Sequence, residues 1–190
     1  QYCDPVLLGR GTPGLREVYG AHWRDWSDDE LARVSRPVDF LGINYYFRTV
    51  VRADGKGGFV EAAPSGVERT QMGWEVYPQG LRDLLIDFHS RYPNLPPIYI
   101  TENGMASDDR VEAGRVDDAQ RIRYLERHLM AVDEAKAAGV DVRGYFVWSL
   151  MDNFEWAEGY GPRFGLTYVD FETQQRIVKD SGRWFREFLA

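Results

Sequence analysis

The chain has 190 residues, the length of one ordinary domain, and we expect residues 1–190 to form a single unit. Its formal charge of −7 comes from 30 acidic and 23 basic residues scattered along the chain, which disfavours nucleic acid and anionic membranes as partners. Cys3 is the single cysteine and no apolar run reaches the roughly 20 residues of a membrane helix, so the composition excludes an intrachain disulfide and favours a soluble, cytoplasmic protein.

Apolar segments of strand length alternate along the chain with helical patterns, which is typical of βα units around a parallel sheet. Strands are predicted at residues 38–44, 97–101 and 142–149. Helices are predicted from Pro78 to just before Pro93, from about residue 117 to 138, and near residues 183–188. In the long helix we expect a solvated charged surface, a Gly139 cap beyond its end, and an inward face of Ile122, Leu125, Leu129 and Val132.

A Gly-rich segment from Asp54 to about Gly73 has neither helical nor strand periodicity and is expected to form a long surface loop. The remaining pattern supplies three main strands, whereas a closed (β/α) barrel needs eight strands and typically about 250 residues. The chain is therefore expected to form only a sector of such a barrel.

Chemically versatile residues follow each of the three predicted strands, at 44–46, 101–104 and 148–156. In barrel enzymes this end of the sheet holds the active site. Glu102 directly follows a buried apolar strand, where a carboxylate is costly unless hydrogen bonds hold it. The alternative is that residues 101–104 only turn the chain and cap the next segment.

The segment 147–164 interleaves aromatic residues with carboxylates and amides. Such a mixture suits a sugar, because a pyranose ring has apolar C–H faces while its hydroxyl groups require directed hydrogen bonds. A run of core aromatics is the alternative, and it fits Phe146 and Phe154 better than it fits the alternation of aromatic and acidic residues that follows.

With these motifs the sequence closely resembles glycoside hydrolase family 1, the β-glucosidase and 6-phospho-β-glycosidase family of (β/α)8 barrels. The resemblance covers nearly the whole chain. It is carried by residues 4–9 (Asp-Pro-Val-Leu-Leu-Gly), 42–46 (Gly-Ile-Asn-Tyr-Tyr), 73–78 (Gly-Trp-Glu-Val-Tyr-Pro), 99–104 (Tyr-Ile-Thr-Glu-Asn-Gly) and 148–156 (Trp-Ser-Leu-Met-Asp-Asn-Phe-Glu-Trp). It implies an α/β fold that is the carboxy-terminal sector, about the last three βα units, of a (β/α)8 TIM barrel.

The resemblance also implies the chemistry, that of a retaining β-glycosidase and in particular a β-glucosidase acting on terminal nonreducing β-D-glucosyl residues. Glu102 would be the nucleophile that attacks the anomeric carbon. Tyr46 would donate a hydrogen bond to its carboxylate and Asn44 would lie beside it, which keeps the carboxylate ionised and aimed. The reaction would need no metal and no organic cofactor, in agreement with His22, His89 and His128, which lack metal-ligand spacing.

The same resemblance assigns the sugar-binding residues. Glu155 would bind hydroxyl groups of the nonreducing sugar, with Trp156 beside them and Trp148 as the floor of that subsite. Phe164 would close its edge and Trp74 would line the aglycone side. The Glu155-Trp156 pair argues against the phospho-glycoside branch and favours a β-glucoside or a short β-linked oligosaccharide as the substrate.

One family motif does not occur in the 190 residues: Thr-Phe-Asn-Glu-Pro, whose Glu is the general acid and base. A retaining glycosidase needs two carboxyl groups about 5–5.5 Å apart. We therefore expect the chain to be inactive alone and to need the missing amino-terminal barrel segment as its partner. Glu155 is the alternative second carboxyl group, although the resemblance assigns it to sugar binding.

Two other functions are compatible with the sequence. The chain could be a noncatalytic carbohydrate-binding or complementing fragment of a barrel, or an unrelated α/β interaction domain that shares motifs by coincidence. In any partial barrel, the open sheet edges and uncovered interior invite association. They predict that the isolated chain forms homo-oligomers or aggregates.

Overall fold

A computed structural model of the protein describes residues 2–190. In chain order its elements are α1 (Cys3–Leu8), α2 (Leu15–Tyr19), α3 (Asp28–Val34), β1 (Leu41–Asn44), β2 (Val51–Ala53), β3 (Phe59–Glu61), α4 (Pro78–Arg91), β4 (Ile98–Asn103), α5 (Ala119–Ala137), β5 (Val142–Val147), β6 (Thr167–Val169), β7 (Arg176–Val178) and α6 (Asp180–Phe188). Over this part of the chain, no helix is both long and apolar enough to cross a membrane.

The centre of the fold is a parallel sheet with the strand order β1-β4-β5. Helix α4 connects the first two strands and α5 connects the second to the third, as βα units require. Pro78 begins α4, where its missing N–H costs nothing, and Gly139 follows α5 with φ = +97°, a conformation that favours glycine. The three predicted strands and their connecting helices are confirmed.

One face of this sheet is covered by the helices. Successive strand residues point to opposite sides, and Ile43, Ile98, Ile100 and Val142 pack with residues of α4 and α5 such as Leu85. All five are buried. Burying each such side chain contributes about 1.5–3 kcal/mol, so this layer holds α4 and α5 on the sheet.

The opposite face of the sheet is open. Phe40 contacts the ring of Tyr99 edge to face at 5.3 Å, and a side chain at Gly144 would meet both Tyr99 and Phe146, so these residues share that face. Phe40 and Phe146 are 53% and 56% exposed. The alternative in which Phe146 and Phe154 are core aromatics does not hold within residues 2–190, because Phe146 points away from the helices and Phe154 is 54% exposed in a loop.

Several predicted boundaries differ from the structure. The first strand begins at Leu41 rather than Val38, the third ends at Val147, and α6 begins at Asp180 rather than Arg183. The predicted loop 54–73 contains β3, which pairs with β2 in an antiparallel hairpin, and a second hairpin joins β6 and β7. These hairpin strands have three residues each, too few for a periodic pattern to show.

The inward face of α5 also differs from the prediction. Leu125 and Val132 are buried as expected, whereas Ile122 and Leu129 are only half-buried. Arg121 and His128 lie in the interior instead. The expectation that all charged residues of this helix form a solvated surface was therefore wrong at Arg121, which ion pairs keep in the interior.

Candidate active site

The three predicted clusters lie at one end of the sheet. Asn44 of β1 pairs with Glu102 of β4, and Asn103 pairs with Val147 of β5. The backbone N–H of Trp148 donates to the carbonyl oxygen of Asn103 at 2.9 Å. Because the strands are parallel, the residues that follow each of them meet at their shared carboxyl ends.

Glu102 is half-buried and is held by a phenol. The hydroxyl group of Tyr46 donates to Oε2 of Glu102 at 2.7 Å. Burial raises the pKa of Tyr46 well above its ordinary value, and the carboxylates of Glu102 and Glu155 raise it further. Tyr46 therefore keeps its proton and acts as the donor that holds the Glu102 carboxylate in place.

Asn44 lies beside Glu102 through the strand register, but its side chain has another partner. Its Oδ1 accepts a hydrogen bond of 2.6 Å from the hydroxyl group of Thr101. This bond fixes the orientation of the Asn44 amide next to the carboxylate. Tyr46 rather than Asn44 is the residue whose side chain bonds to Glu102 in the structure.

Asn103 holds the end of β4 in place, a role that the sequence analysis missed. Its buried amide nitrogen donates to the carbonyl oxygen of Tyr45 at 2.6 Å and to the hydroxyl oxygen of Tyr124 at 3.0 Å. Its amide oxygen accepts from the hydroxyl group of Tyr145. The next residue is Gly104, where any Cβ would overlap the carbonyl oxygen of Trp148. A buried amide needs such partners, so an Asn at the end of a buried apolar strand was the available signal.

An aromatic cluster adjoins the Tyr46–Glu102 pair. The ring of Trp74 lies 5.4 Å from that of Tyr46 and 6.0 Å from that of Phe164, measured between centroids. Phe164 is 2% exposed, so it supports Tyr46 and Trp74 from the interior. Phe47, which the sequence analysis did not single out, stacks on Trp74 at 5.0 Å.

Glu155 and Trp156 lie in a tight turn after β5. The N–H of Glu155 donates to the carbonyl oxygen of Gly159 at 2.7 Å. Trp156 is 80% exposed and has φ = +44°, a conformation that is uncommon for a bulky residue. Trp148 is half-buried, and its peptide bond to Ser149 is cis. The predicted sugar-binding residues thus combine an exposed ring, an acidic side chain and a half-buried ring at one end of the sheet.

A buried ionic network lies behind this turn, and the sequence analysis missed it. Its carboxylates and cations come from distant parts of the chain: Asp109, Asp118, Arg121, Asp152, Arg163 and Lys179. Burial would raise the pKa of Asp109, but the charges of Arg121 and Lys179 outweigh it and hold that pKa below its ordinary value. Within residues 2–190, no group of three or more His, Cys, Asp or Glu side chains has the arrangement of a metal site.

Comparisons with known proteins identify the family of the chain. The family model "Glycosyl hydrolase family 1" matches residues 1–190. β-Glucosidase A of Thermotoga maritima is 49% identical over 97% of the chain and 42% of its own length. A 6-phospho-β-galactosidase of Lacticaseibacillus rhamnosus is 37% identical over 98% of the chain and 47% of its own length.

Among solved structures, the β-glucosidase from Thermotoga maritima in complex with castanospermine matches with a TM-score of 0.90 and 41% identity. The match covers 98% of this chain and 42% of that one. The chain thus spans less than half the length of these relatives, and its three parallel strands are a sector of their (β/α)8 barrel. The expected fold class is confirmed, and the chain belongs to glycosyl hydrolase family 1.

Proposed function

We propose that residues 1–190 act as a single unit that joins amino-terminal barrel strands to form a retaining β-glycosidase, specifically a β-glucosidase. The assembly of this chain with the amino-terminal strands that its relatives carry is called the complete barrel below. The proposal rests above all on the 2.7 Å hydrogen bond from Tyr46 to Glu102 at the carboxyl end of β4. A phenol that donates to one oxygen of this carboxylate holds the group in one orientation, as a nucleophile requires.

The proposed reaction has two steps. Glu102 attacks the anomeric carbon while a second carboxyl group, supplied by the amino-terminal strands, protonates the departing aglycone oxygen. Water then attacks the glycosyl-enzyme, the second group takes its proton, and Glu102 leaves with the bonding electron pair. Tyr46 retains its proton throughout, and Asn44 flanks the carboxylate.

Sugar recognition is proposed to come from the turn after β5. Glu155 would accept hydrogen bonds from hydroxyl groups of the nonreducing sugar, Trp156 would lie beside them, and Trp148 would form the floor. Trp74, supported by Phe164, would line the aglycone side, and no cofactor takes part.

The proposed substrate is a β-glucoside or a short β-linked oligosaccharide, such as those from cellulose. The relatives include both a β-glucosidase and a 6-phospho-β-galactosidase. The acidic group of Glu155 favours an unphosphorylated sugar, because like charges repel a phosphate. The single cysteine, Cys3, favours a cytoplasmic enzyme.

Covalent labelling tests the nucleophile. Treating the complete barrel with 2,4-dinitrophenyl 2-deoxy-2-fluoro-β-D-glucoside should add one sugar to Glu102, located by mass spectrometry of the peptides. Glu102→Gly should abolish hydrolysis, and azide should restore turnover with an inverted glycosyl azide as the product, since a small anion fits the vacated space. The matched control is Glu158→Gln, which replaces an exposed carboxylate in the turn that carries Glu155. This variant should be labelled at Glu102 as the wild type is. Labelling of any other carboxylate would refute the assignment.

A further inference from the structure

The segments that carry Glu102 and Glu155 leave the sheet on different strands, yet both bind to Arg121. The guanidinium of Arg121 donates to the carbonyl oxygen of Met105 at 3.3 Å and to the hydroxyl oxygen of Ser107 at 2.6 Å, both in the segment after Glu102. It also donates to the carbonyl oxygen of Arg163 at 2.7 Å, in the segment after Glu155. The Arg121 side chain is fully buried, so these bonds do not compete with water.

Lys179, the residue before α6, makes a second connection between the same two segments. Its side chain is fully buried, and its amine donates to Asp152 at 2.7 Å and to Asp109. Asp109 belongs to the segment after Glu102, where it also accepts from Arg121 at 2.8 Å. Asp152 belongs to the segment that leads into Glu155. The amine of Lys179 therefore joins the segment after Glu102 to the segment that leads into Glu155.

Asp152 closes the base of the loop that presents Glu155. Its carboxylate accepts from Arg163 at 2.7 Å, from the N–H of Gly165 at 2.9 Å and from the N–H of Val169 at 3.3 Å, in addition to Lys179. The loop between Asp152 and Arg163 contains Glu155. Moving Asp152 would therefore move the base from which the sugar-binding turn projects.

The charges of the network balance, with three carboxylates and three cations. A buried ion pair gains little stability over well-packed apolar residues, because desolvation offsets the attraction between the charges. Stability alone is thus a weak reason for placing Lys179 there. The charged hydrogen bonds of the network are directional, however, and can fix the distance between two chain segments.

From these contacts we infer that Lys179 is a positioning residue for catalysis: by holding Asp109 and Asp152 together it fixes the sugar-binding side chain of Glu155 relative to Glu102. The inference rests on the proposed function, because it requires Glu155 to bind the sugar. Displacing a positioned group by about 1 Å costs about 100-fold in rate.

A double-mutant cycle in the complete barrel separates positioning from stabilisation. Lys179→Met should lower kcat/KM for 4-nitrophenyl β-D-glucoside by about 10- to 100-fold. In the Glu155→Ala background, the same substitution should lower it less than about threefold, since a group that is absent cannot be misplaced. Arg115→Gln, which removes the exposed ion pair with Asp180 near the start of α6, is the control and should leave kcat/KM unchanged.

Equal losses from Lys179→Met in the two backgrounds would overturn the inference, since a purely structural role is independent of Glu155. If Lys179→Met does not fold, Asp109→Asn replaces it in the cycle, because the amide keeps the shape of the carboxylate and removes its charge. The wild-type rate tells the two proposals apart. A folded complete barrel that does not hydrolyse the glucoside contradicts the proposed function, and this inference then fails with it.

Discussion

The two faces of the central sheet have the same strands but opposite environments. On one face Ile98, Ile100 and Val142 are buried beneath α4 and α5. On the other, Phe40 and Phe146 are half exposed although they are as apolar as the residues of the covered face. Strand alternation sends side chains to both sides, and α4 and α5 pack on the first of these sides.

The difference between the two faces is in keeping with a chain that spans less than half the length of its relatives. Strands β1 and β5 are the edges of the sheet, and in the described chain no further strand pairs with the outer side of either. A barrel interior is packed by side chains from all eight strands. The open face and the two edges are therefore the surfaces on which amino-terminal strands would pack, and the following predictions test this.

The largest expected effect is on activity and association of the isolated chain. Alone, it should elute as oligomers or aggregates in size-exclusion chromatography and show no hydrolysis of an aryl glucoside, because its sheet edges are unpaired and the Thr-Phe-Asn-Glu-Pro motif does not occur in its sequence. Adding the amino-terminal segment as a separate polypeptide should restore some activity. A monomeric chain that hydrolyses the substrate unaided, at a rate abolished by Glu102→Gln, would contradict this and assign the missing role to Glu155 or another local carboxylate.

A second prediction compares one residue from each face. In the isolated chain at high dilution, Leu85→Ala should lower the free energy of unfolding by about 2–5 kcal/mol, because it leaves a cavity beneath α4. Phe146→Ala should cost less than about 1 kcal/mol there, since half of that side chain is already in water. In the complete barrel the cost of Phe146→Ala should rise to about 3–5 kcal/mol. Denaturant titration measures each change in the free energy of unfolding. If Phe146→Ala lowers it equally in the isolated chain and in the complete barrel, the open face is not covered in the complete barrel.

The sequence predicted the central sheet well because its strands are long apolar runs between helices. It also predicted the Tyr46–Glu102 neighbourhood, because family motifs carry those residues, and the hydrogen bond between them is present. It could not predict which face of the sheet the helices cover, since the alternation of strand residues defines two faces but does not show which of them packs against helices. It missed the ionic network because Lys179 meets Asp109 across 70 positions, and because Arg121 on α5 looks the same in sequence whether it is solvated or buried.

A third prediction concerns a polar group on the covered face. His128 is buried beside Tyr124, and the structure leaves its Nε2 without a hydrogen-bond partner. Burial lowers its pKa from 6.5 to about 4. Between pH 6.5 and about pH 4 the folded state therefore binds fewer protons than the unfolded state. The stability that comes from keeping His128 neutral is fully present above pH 6.5 and is lost as the pH falls towards 4.

The shift corresponds to about 3 kcal/mol of unfolding free energy. In the complete barrel, His128→Leu should remove about that much of the difference in stability between pH 7 and pH 4, measured by denaturant titration followed by tryptophan fluorescence. His89→Gln, at an exposed position on α4, is the control. An unchanged pH dependence in His128→Leu would show that this residue titrates normally in the folded protein.

The smallest expected effect distinguishes the open face from ordinary surface exposure. Phe59, in the β2–β3 hairpin, is 71% exposed, more than Phe146, yet it lies outside the central sheet. If exposure alone caused self-association, Phe59→Ser would reduce it at least as much as Phe146→Ser. We expect instead that Phe59→Ser changes the unfolding free energy by less than about 0.5 kcal/mol and leaves the elution profile of the isolated chain unchanged. Phe146→Ser should shift that profile towards smaller species, because it makes the uncovered interior face more polar. Size-exclusion chromatography of the two variants at matched concentrations shows which residue contributes to self-association. A larger shift for Phe59→Ser would mean that the chains associate through the hairpin.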